Sequence, residues 1–252
     1  MSDSLLTSKD GEVYWISLNR PEKANAINVD MWKKLKQQLD TACEDSEVRM
    51  IALTGSGKYF TAGEDLNDLD SSETFNSSLN LFLDVIRPVF ETIIRAPKAV
   101  ISVVNGAAIG VGVELVFASD LAIAHKDSYF MLSQAKLGVG PSLSLSLALP
   151  VLGKKRLFYM VTTGKKVSAK EALEWGVVNE LYDGEATEVV KRIAQEISKV
   201  PKTLTRLTKE ILARQLYFLD YTSSFRDIGM FVQSEDARKG IRSFISNKRS
   251  GS

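Results

Sequence analysis

An α/β fold is predicted by three features of this 252-residue chain. Short, almost wholly apolar runs recur through the first half, and stretches with apolar residues every three or four positions separate them. From about residue 142 the strand signals thin out and helical patterns take over. Strands parted by helices require crossover connections, so their sheet is covered and its strands read as continuous hydrophobic runs. The length suits one large domain, or a core with a helical appendage, and can bury a sizeable core.

Residues 13–18, 49–54, 99–104 and 121–124 are the predicted strands, with Gly55, Gly57 and Gly106 as punctuation near their ends. Between the first two, Asn28 is placed to cap a helix carrying Met31, Trp32, Leu35, Leu39 and Ala42 on one face. A second helix, 79–94, precedes the third strand. Ser168 followed by Glu171 fits a capping box, and Gly176 stands where a glycine would release that helix. Further helices fit 185–199, 203–216, 223–232 and 235–246. Their apolar residues, Leu204, Leu207, Ile211 and Leu212, then Phe225, Ile228, Phe231 and Val232, exceed what a thin helical layer needs. Phe225, Phe231, Ile241 and Phe244 populate more than one helix face, so burial against another copy of the chain is expected.

Composition narrows the chemistry. Apolar residues make up 44% and charged residues 25%, with 32 basic against 31 acidic side chains, which excludes disorder and a general polyanion binder. RNA is disfavoured by the same balance. Cys43 is the only cysteine and His125 the only histidine, so disulfide frameworks, zinc clusters and any nucleophile–histidine pair not using His125 are excluded. Carboxylates, hydroxyls, lysines and the backbone remain. The start lacks the basic flank and apolar run of a signal peptide, and no stretch nears the roughly 20 apolar residues of a membrane span. The expectation is a soluble cytoplasmic protein with no membrane contact. "GSGKY" fails as a P-loop because Ala52 and Tyr59 stand at required positions, and "GVGVE" fails as a dinucleotide fingerprint at Leu115.

One residue is out of keeping with its surroundings. "NGAAIGVGVELVFASDLAIA", residues 105–124, reads as buried packing apart from Glu114 and Asp120. Losing water costs a carboxylate several kcal/mol or drives its pKa up, so a buried one is paired or chemically employed. Asp120 reads as a helix end or a partner of backbone amides, and His125 as structural. Taken alone, Glu114 fits a solvated or lysine-paired side chain as well as an active-site base.

"NRPEKANAI" at 19–27, "KYFTAGEDL" at 58–66, "NGAAIGVGVELVFASD" at 105–120, "AKLGVGP" at 135–141 and the later "TGKKVSAKEALEWGVVNEL" together resemble the crotonase superfamily, the enoyl-CoA hydratase and isomerase family, in order and spacing. The resemblance covers nearly the whole chain. It implies a spiral of ββα units with its acyl-CoA site over 1–195, and a helical oligomerisation region over 196–252 that builds trimers or hexamers. It implies an acyl-CoA thioester as substrate, with no cofactor beyond the CoA the substrate brings and no metal. The implied oxyanion hole is the pair of backbone amides of Glu64 and Val111, the latter a glycine in many relatives. Glu114 matches the glutamate that activates water in hydratases. Lys23, Ala24 and Ala26 are implied along the pantetheine and phosphates, with Ala62, Gly63, Asp65, Leu66 and Gly110 in the two site loops. Phe244 and Lys248 match residues that lean over a neighbouring subunit's CoA.

The chain departs from the two-glutamate hydratase pattern at one place. In "FMLSQAKLG", Ser133 and Gln134 stand where relatives carry proline and the second glutamate, and Ser142 stands where some isomerases place a carboxylate. An amide orients water or substrate but does not exchange protons near neutral pH. The expected chemistry is therefore an enolate-forming reaction with Glu114 as main acid/base, isomerisation being easier than hydration. The alternatives are decarboxylation or thioester hydrolysis, and a catalytically weak acyl-CoA binder.

Overall fold

Apolar residues on both faces of the central strands oblige them to lie between two covering layers. The computed structural model describes residues 3–71, 74–140, 142–218 and 221–250. The chain opens with a hairpin of β1 (Leu5–Asp10) and β2 (Val13–Leu18), Leu5 facing Leu18. Helix α1 (Val29–Glu44), capped by the Asn28 side chain accepting from the Met31 amide, crosses to β3 (Met50–Gly55), which runs parallel to β2. After β4 (Tyr59–Thr61) come α2 (Leu66–Ser71), α3 (Phe75–Asn80), a π-helical stretch Leu81–Ile86 and α4 (Arg87–Arg95). Next are β5 (Ala99–Val104), β6 (Ala107–Ile109), α5 (Val111–Ala118), β7 (Leu121–His125) and β8 (Tyr129–Met131). The remainder is α6 (Ser142–Thr163), β9 (Val167–Ser168), α7 (Ala169–Glu174), β10 (Glu180–Tyr182), α8 (Ala186–Ser198), α9 (Lys202–Phe218), α10 (Tyr221–Phe231) and α11 (Glu235–Ser250).

Two sheets result. One has the order β1-β2-β3-β5-β7-β10, parallel except for the first hairpin, and the other the order β4-β6-β8-β9. Three successive strand pairs, β3/β4, β5/β6 and β7/β8, send the first strand to the large sheet and the second to the small one before helices return the chain, which is the predicted spiral of ββα units. The four predicted strands lie within a residue of their expected bounds, and the predicted helix 79–94 is built from the end of α3, the π-helical stretch and α4. Alternation along β3 sends Ile51 and Leu53 toward the α1 side, while Met50 and Ala52 join the cluster that holds Val190 and Ala194 of α8. Arg49, also buried, donates to carbonyls at the end of α8, at Ile197 (3.0 Å) and Ser198 (3.3 Å), and to that of Val200 just beyond it.

The C-terminal helices divide their apolar residues. Phe225 and Ile241 are fully buried, Phe225 edge-on to Phe90 with ring centroids 5.7 Å apart. Leu204, Leu207, Ile211 and Leu212 on α9, Phe231 and Phe244 are exposed. Among the described residues no helix is long and apolar enough to cross a membrane.

Candidate active site

The loops after β4 and β6 meet because glycine lets them. A Cβ on Gly63 (φ 96°) would sit 2.8 Å from the Ile109 carbonyl and 3.5 Å from the Val111 amide nitrogen. Gly110 (φ 56°, ψ −120°) takes a turn that side chains resist, which aims α5 away from β6. The Ile27 amide donates to the Gly63 carbonyl at 2.8 Å and the Asp65 amide to the Ile27 carbonyl at 2.9 Å, leaving the Glu64 N–H between them without an acceptor among the described residues. Val111 heads α5, so its amide has no carbonyl four residues back. Two free amides thus lie on adjoining loops at the positive end of a helix.

The supporting loop at 20–27 is fastened by a buried side chain of its own. Asn25, fully buried, donates through Nδ2 to the carbonyls of Ser56, Tyr59 and Phe60 and accepts from the Arg20 amide. Arg20 in turn reaches the Ala26 carbonyl and the Asp65 carboxylate at 3.1 Å.

A cavity of about 870 Å³ opens along these loops. Lys23, Ala26 and Ala62 line it, with Gly63 through Leu66 on one side and Gly110, Val111, Glu114 and Gln134 on another. Ala24 is not on its wall: in a left-handed turn (φ 53°), its carbonyl accepts from the Ala62 amide instead. Phe244 lines the cavity of its own chain, from α11. The side chains of Lys248 and Ser142 lie outside the described residues. Among the described residues no group of three or more His, Cys, Asp or Glu side chains gathers in a way that could hold a metal.

Glu114 is 3% exposed and meets no cation among the described residues. Its Oε1 accepts from the Ser144 amide (3.1 Å), the Ser144 hydroxyl (2.5 Å) and Gln134 Nε2 (3.3 Å), while no described residue donates to Oε2. Burial pushes its pKa up to about 7, against the two Ser144 hydrogen bonds that favour the charge. One oxygen is thereby anchored and the other left open. Ser144 escaped sequence reasoning because it sits in "SLSLSL", where Ser142 and Ser146 look the same. Gln134 Oε1 is buried without a partner among the described residues.

Glu64 carries a second buried carboxyl. Its Oε2 accepts from Trp32 Nε1 at 2.8 Å, and Oε1 has no partner among the described residues. Burial holds its pKa well above the usual carboxylate range, and the charges of Asp68, Asp65 and Glu114 add to that, outweighing the Trp32 bond. Elsewhere, Asp120 accepts from the Val100 amide and from Lys209 Nζ, and the His125 ring packs edge-on to Tyr182, away from the cavity wall.

Residues 8–250 match the sequence profile of the family described as enoyl-CoA hydratase/isomerase. The 1,2-epoxyphenylacetyl-CoA isomerase of Escherichia coli is 30% identical over 98% of this chain and 97% of its own. A carnitinyl-CoA dehydratase of Salmonella heidelberg is 32% identical over 98% and 97% respectively. The crystal structure of an enoyl-CoA hydratase/isomerase from Mycobacterium paratuberculosis, 24% identical, shares the fold with a TM-score of 0.85 over 96% of this chain and 99% of that one.

Proposed function

The chain belongs to the enoyl-CoA hydratase/isomerase family of acyl-CoA enzymes, and from that premise we propose that it shifts a carbon–carbon double bond in an enoyl-CoA, with Glu114 as the acid/base. The observation that carries this reading is the buried Glu114 carboxyl, anchored at one oxygen by neutral donors and free at the other, with a pKa of about 7. A group poised there both takes and returns a proton at neutral pH. The thioester oxygen lies against the Glu64 and Val111 amides, each contributing about 3–4 kcal/mol to the enolate by analogy with other oxyanion holes. Glu114 Oε2 removes a proton from carbon 2 of a 3-enoyl thioester; the enolate spreads over the diene, and protonation at carbon 4 gives the 2-enoyl product. Gln134 orients Glu114 through its amide but supplies no proton, which favours isomerisation over hydration.

The CoA moiety runs past Lys23, Ala26 and Ala62 toward Phe244, and the reaction needs no other cofactor. Residues 1–195 carry the proposed acid/base and oxyanion hole, α11 of the helical region 196–252 closes one wall of the cavity, and that region assembles trimers or hexamers. The exposed Leu204, Leu207, Ile211 and Leu212 on α9 supply the apolar face for this assembly.

Turnover of a 3-enoyl-CoA, crotonyl-CoA and malonyl-CoA by wild type and Glu114→Gln tests the reading. Double-bond migration outpacing hydration, lost in the variant with binding kept within a few-fold, is the expected result. Faster malonyl-CoA decarboxylation, or binding of all three without turnover, overturns it.

A further inference from the structure

The cavity at the proposed site is polar at one end and apolar at the other. Its exposed rim carries Lys23, Lys136 and Ser243, the Lys136 stem lying across Gly164, where a Cβ would meet Cε at 2.6 Å. Four other wall residues, Leu69 of α2, Phe82 of the π-helical stretch, Val139 and Ile228 of α10, are apolar and buried. They come from separate segments and join one apolar cluster. Buried side chains that still border a cavity mark its inner end. The acidic groups of the wall are committed elsewhere: Asp65 to Arg20 at 3.1 Å, Glu64 to the Trp32 indole, and Glu114 to Ser144 and the proposed proton transfer.

Phe82 owes its place to the winding of its helix. Pro88 has no amide to close a turn, and the Arg87 amide reaches five residues back to the Phe82 carbonyl, so Leu81–Ile86 winds as a π-helix. That winding returns Ile86 over Leu81, and both are buried beside Phe82. Of the three, Phe82 borders the cavity. A thioester held at the Glu64 and Val111 amides has two ends to place. The CoA end carries phosphates and amides, which need the rim and its water. The acyl tail takes the inner end, where a carboxylate or an ammonium would meet no opposite charge among the four side chains. An apolar tail gains there instead, by roughly fourfold in affinity for each methylene removed from water.

We propose that the substrate's acyl group is an uncharged hydrocarbon tail longer than that of crotonyl-CoA, and that Phe82 and Ile228 form the floor that sets its length. This rests on the reading of the cavity as the acyl-CoA site given above. Every carbon of a crotonyl group belongs to the reacting centre, being either the thioester carbonyl or one of the carbons between which the double bond moves. Only the carbons beyond them are free to enter the inner end. Selectivity for the tail is thus separable from the proton transfer at Glu114.

The test measures calorimetric Kd values for saturated acyl-CoAs, which have no double bond to move, on wild type, Phe82→Ala and Ile228→Phe. The ligands are butanoyl-, hexanoyl-, octanoyl- and dodecanoyl-CoA, with adipoyl-CoA as a hexanoyl chain ending in a carboxylate. In wild type, Kd is expected to fall by roughly tenfold or more from butanoyl to octanoyl, and adipoyl-CoA to bind at least about tenfold more weakly than hexanoyl-CoA. Ile228→Phe raises the floor, so octanoyl-CoA should lose roughly tenfold against butanoyl-CoA. Phe82→Ala lowers it, so dodecanoyl-CoA should gain on octanoyl-CoA. A general loosening of the core cannot produce both shifts. Equal wild-type affinities from butanoyl to octanoyl, or adipoyl-CoA bound as tightly as hexanoyl-CoA, would overturn the inference whether or not the variants fold. A wild-type profile in both folded variants would remove Phe82 and Ile228 from the floor. Length-dependent binding without turnover of any 3-enoyl-CoA defeats the catalytic reading alone, whereas turnover lost in Glu114→Gln together with flat wild-type affinities defeats this inference alone.

Discussion

Helix α5 has a carboxylate near each end, Glu114 buried and Asp120 partly exposed, and the two are treated differently. At its start, Glu114 meets only neutral donors among the described residues, and none of these reaches its second oxygen. Just past its end, Asp120 takes Lys209 Nζ at 2.6 Å and the Val100 amide at 2.7 Å, and Lys209 donates further to the carbonyls of Ile93 (2.9 Å) and Lys98 (3.0 Å). Burial raises both carboxyls, Asp120 even against its lysine. Burial alone therefore does not mark a carboxylate for chemistry. Absence of a cation sets the proposed base Glu114 apart, whereas Asp120, whose Oδ2 takes both the lysine and the Val100 amide, serves to pin α9 to the strand β5.

The largest expected effects come from exchanging those two treatments. Asp120→Ala strands Lys209 in the interior and should cost about 3–5 kcal/mol of stability, read by denaturant unfolding, with turnover per folded molecule preserved. Glu114→Gln should do the reverse, lowering turnover by roughly 10²–10⁴-fold with stability kept or improved, because a neutral amide is cheaper to bury. A Glu114 variant that unfolds while remaining active, or an Asp120 variant that is stable but dead, would break the comparison.

Acidity sharpens it further. A base raised to about 7 by burial is ionised only above that pH, so turnover should climb as pH rises through about 7. Stability runs the other way. Between the ordinary glutamate range and about 7 the folded state holds a proton the unfolded chain has lost, so this contribution falls as pH rises across that window. Ser144→Ala removes one of the bonds that favour the charged form. The pH midpoint should move upward and turnover near pH 6 drop by roughly tenfold, with recovery in alkali. An unmoved midpoint would show that Ser144 merely packs beside Glu114.

The sequence made one end of this helix more legible than the other. The strands at 13–18, 49–54, 99–104 and 121–124 were readable because burial on both faces leaves an unbroken apolar run. The edge strand β1, mostly exposed and polar, carried no such signal, and β4, β6 and β8 are three residues each, too short for any period to register. Glu114 stood out as a charge in apolar surroundings, and its loops were named by their glycines. Ser144, the Lys209 partner of Asp120 and the Trp32 tether of Glu64 were not readable, because each arrives from a distant segment: 30, 89 and 32 residues away. Local pattern reports which face of an element is buried, and says little about which remote donor will meet it there.

Gln134→Glu tests whether neutral surroundings are what Glu114 needs. Gln134 Nε2 approaches Glu114 Oε1 at 3.3 Å, so a carboxyl at 134 would face a carboxylate, and the pair would retain one proton between them. That proton is a new acid on the substrate side. Hydration of crotonyl-CoA should gain on double-bond migration by up to about tenfold, measured as the ratio of the two rates. A flat ratio would mean that acid at this position is not what limits hydration.

The smallest effect belongs to a charge that is not buried at all. Lys23 is exposed on the turn Pro21–Lys23 where the cavity wall begins, and no carboxylate within salt-bridge distance claims its ammonium among the described residues. Its proposed role is attraction of the CoA phosphates across water, the opposite of the desolvated contact at Glu114. Such a contact is weak and screened: the Debye length shrinks from about 10 Å at 0.1 M salt to about 3 Å at 1 M. Lys23→Ala should therefore raise the Kd for free CoA by roughly twofold to fivefold at low salt, and the difference should vanish at 1 M. Because the ammonium is remote from the reacting carbons, kcat should stay at the wild-type value while KM follows Kd. Equal CoA affinity at low salt would return Lys23 to an ordinary solvated turn charge, and a fall in kcat would place it closer to the chemistry than its exposure allows.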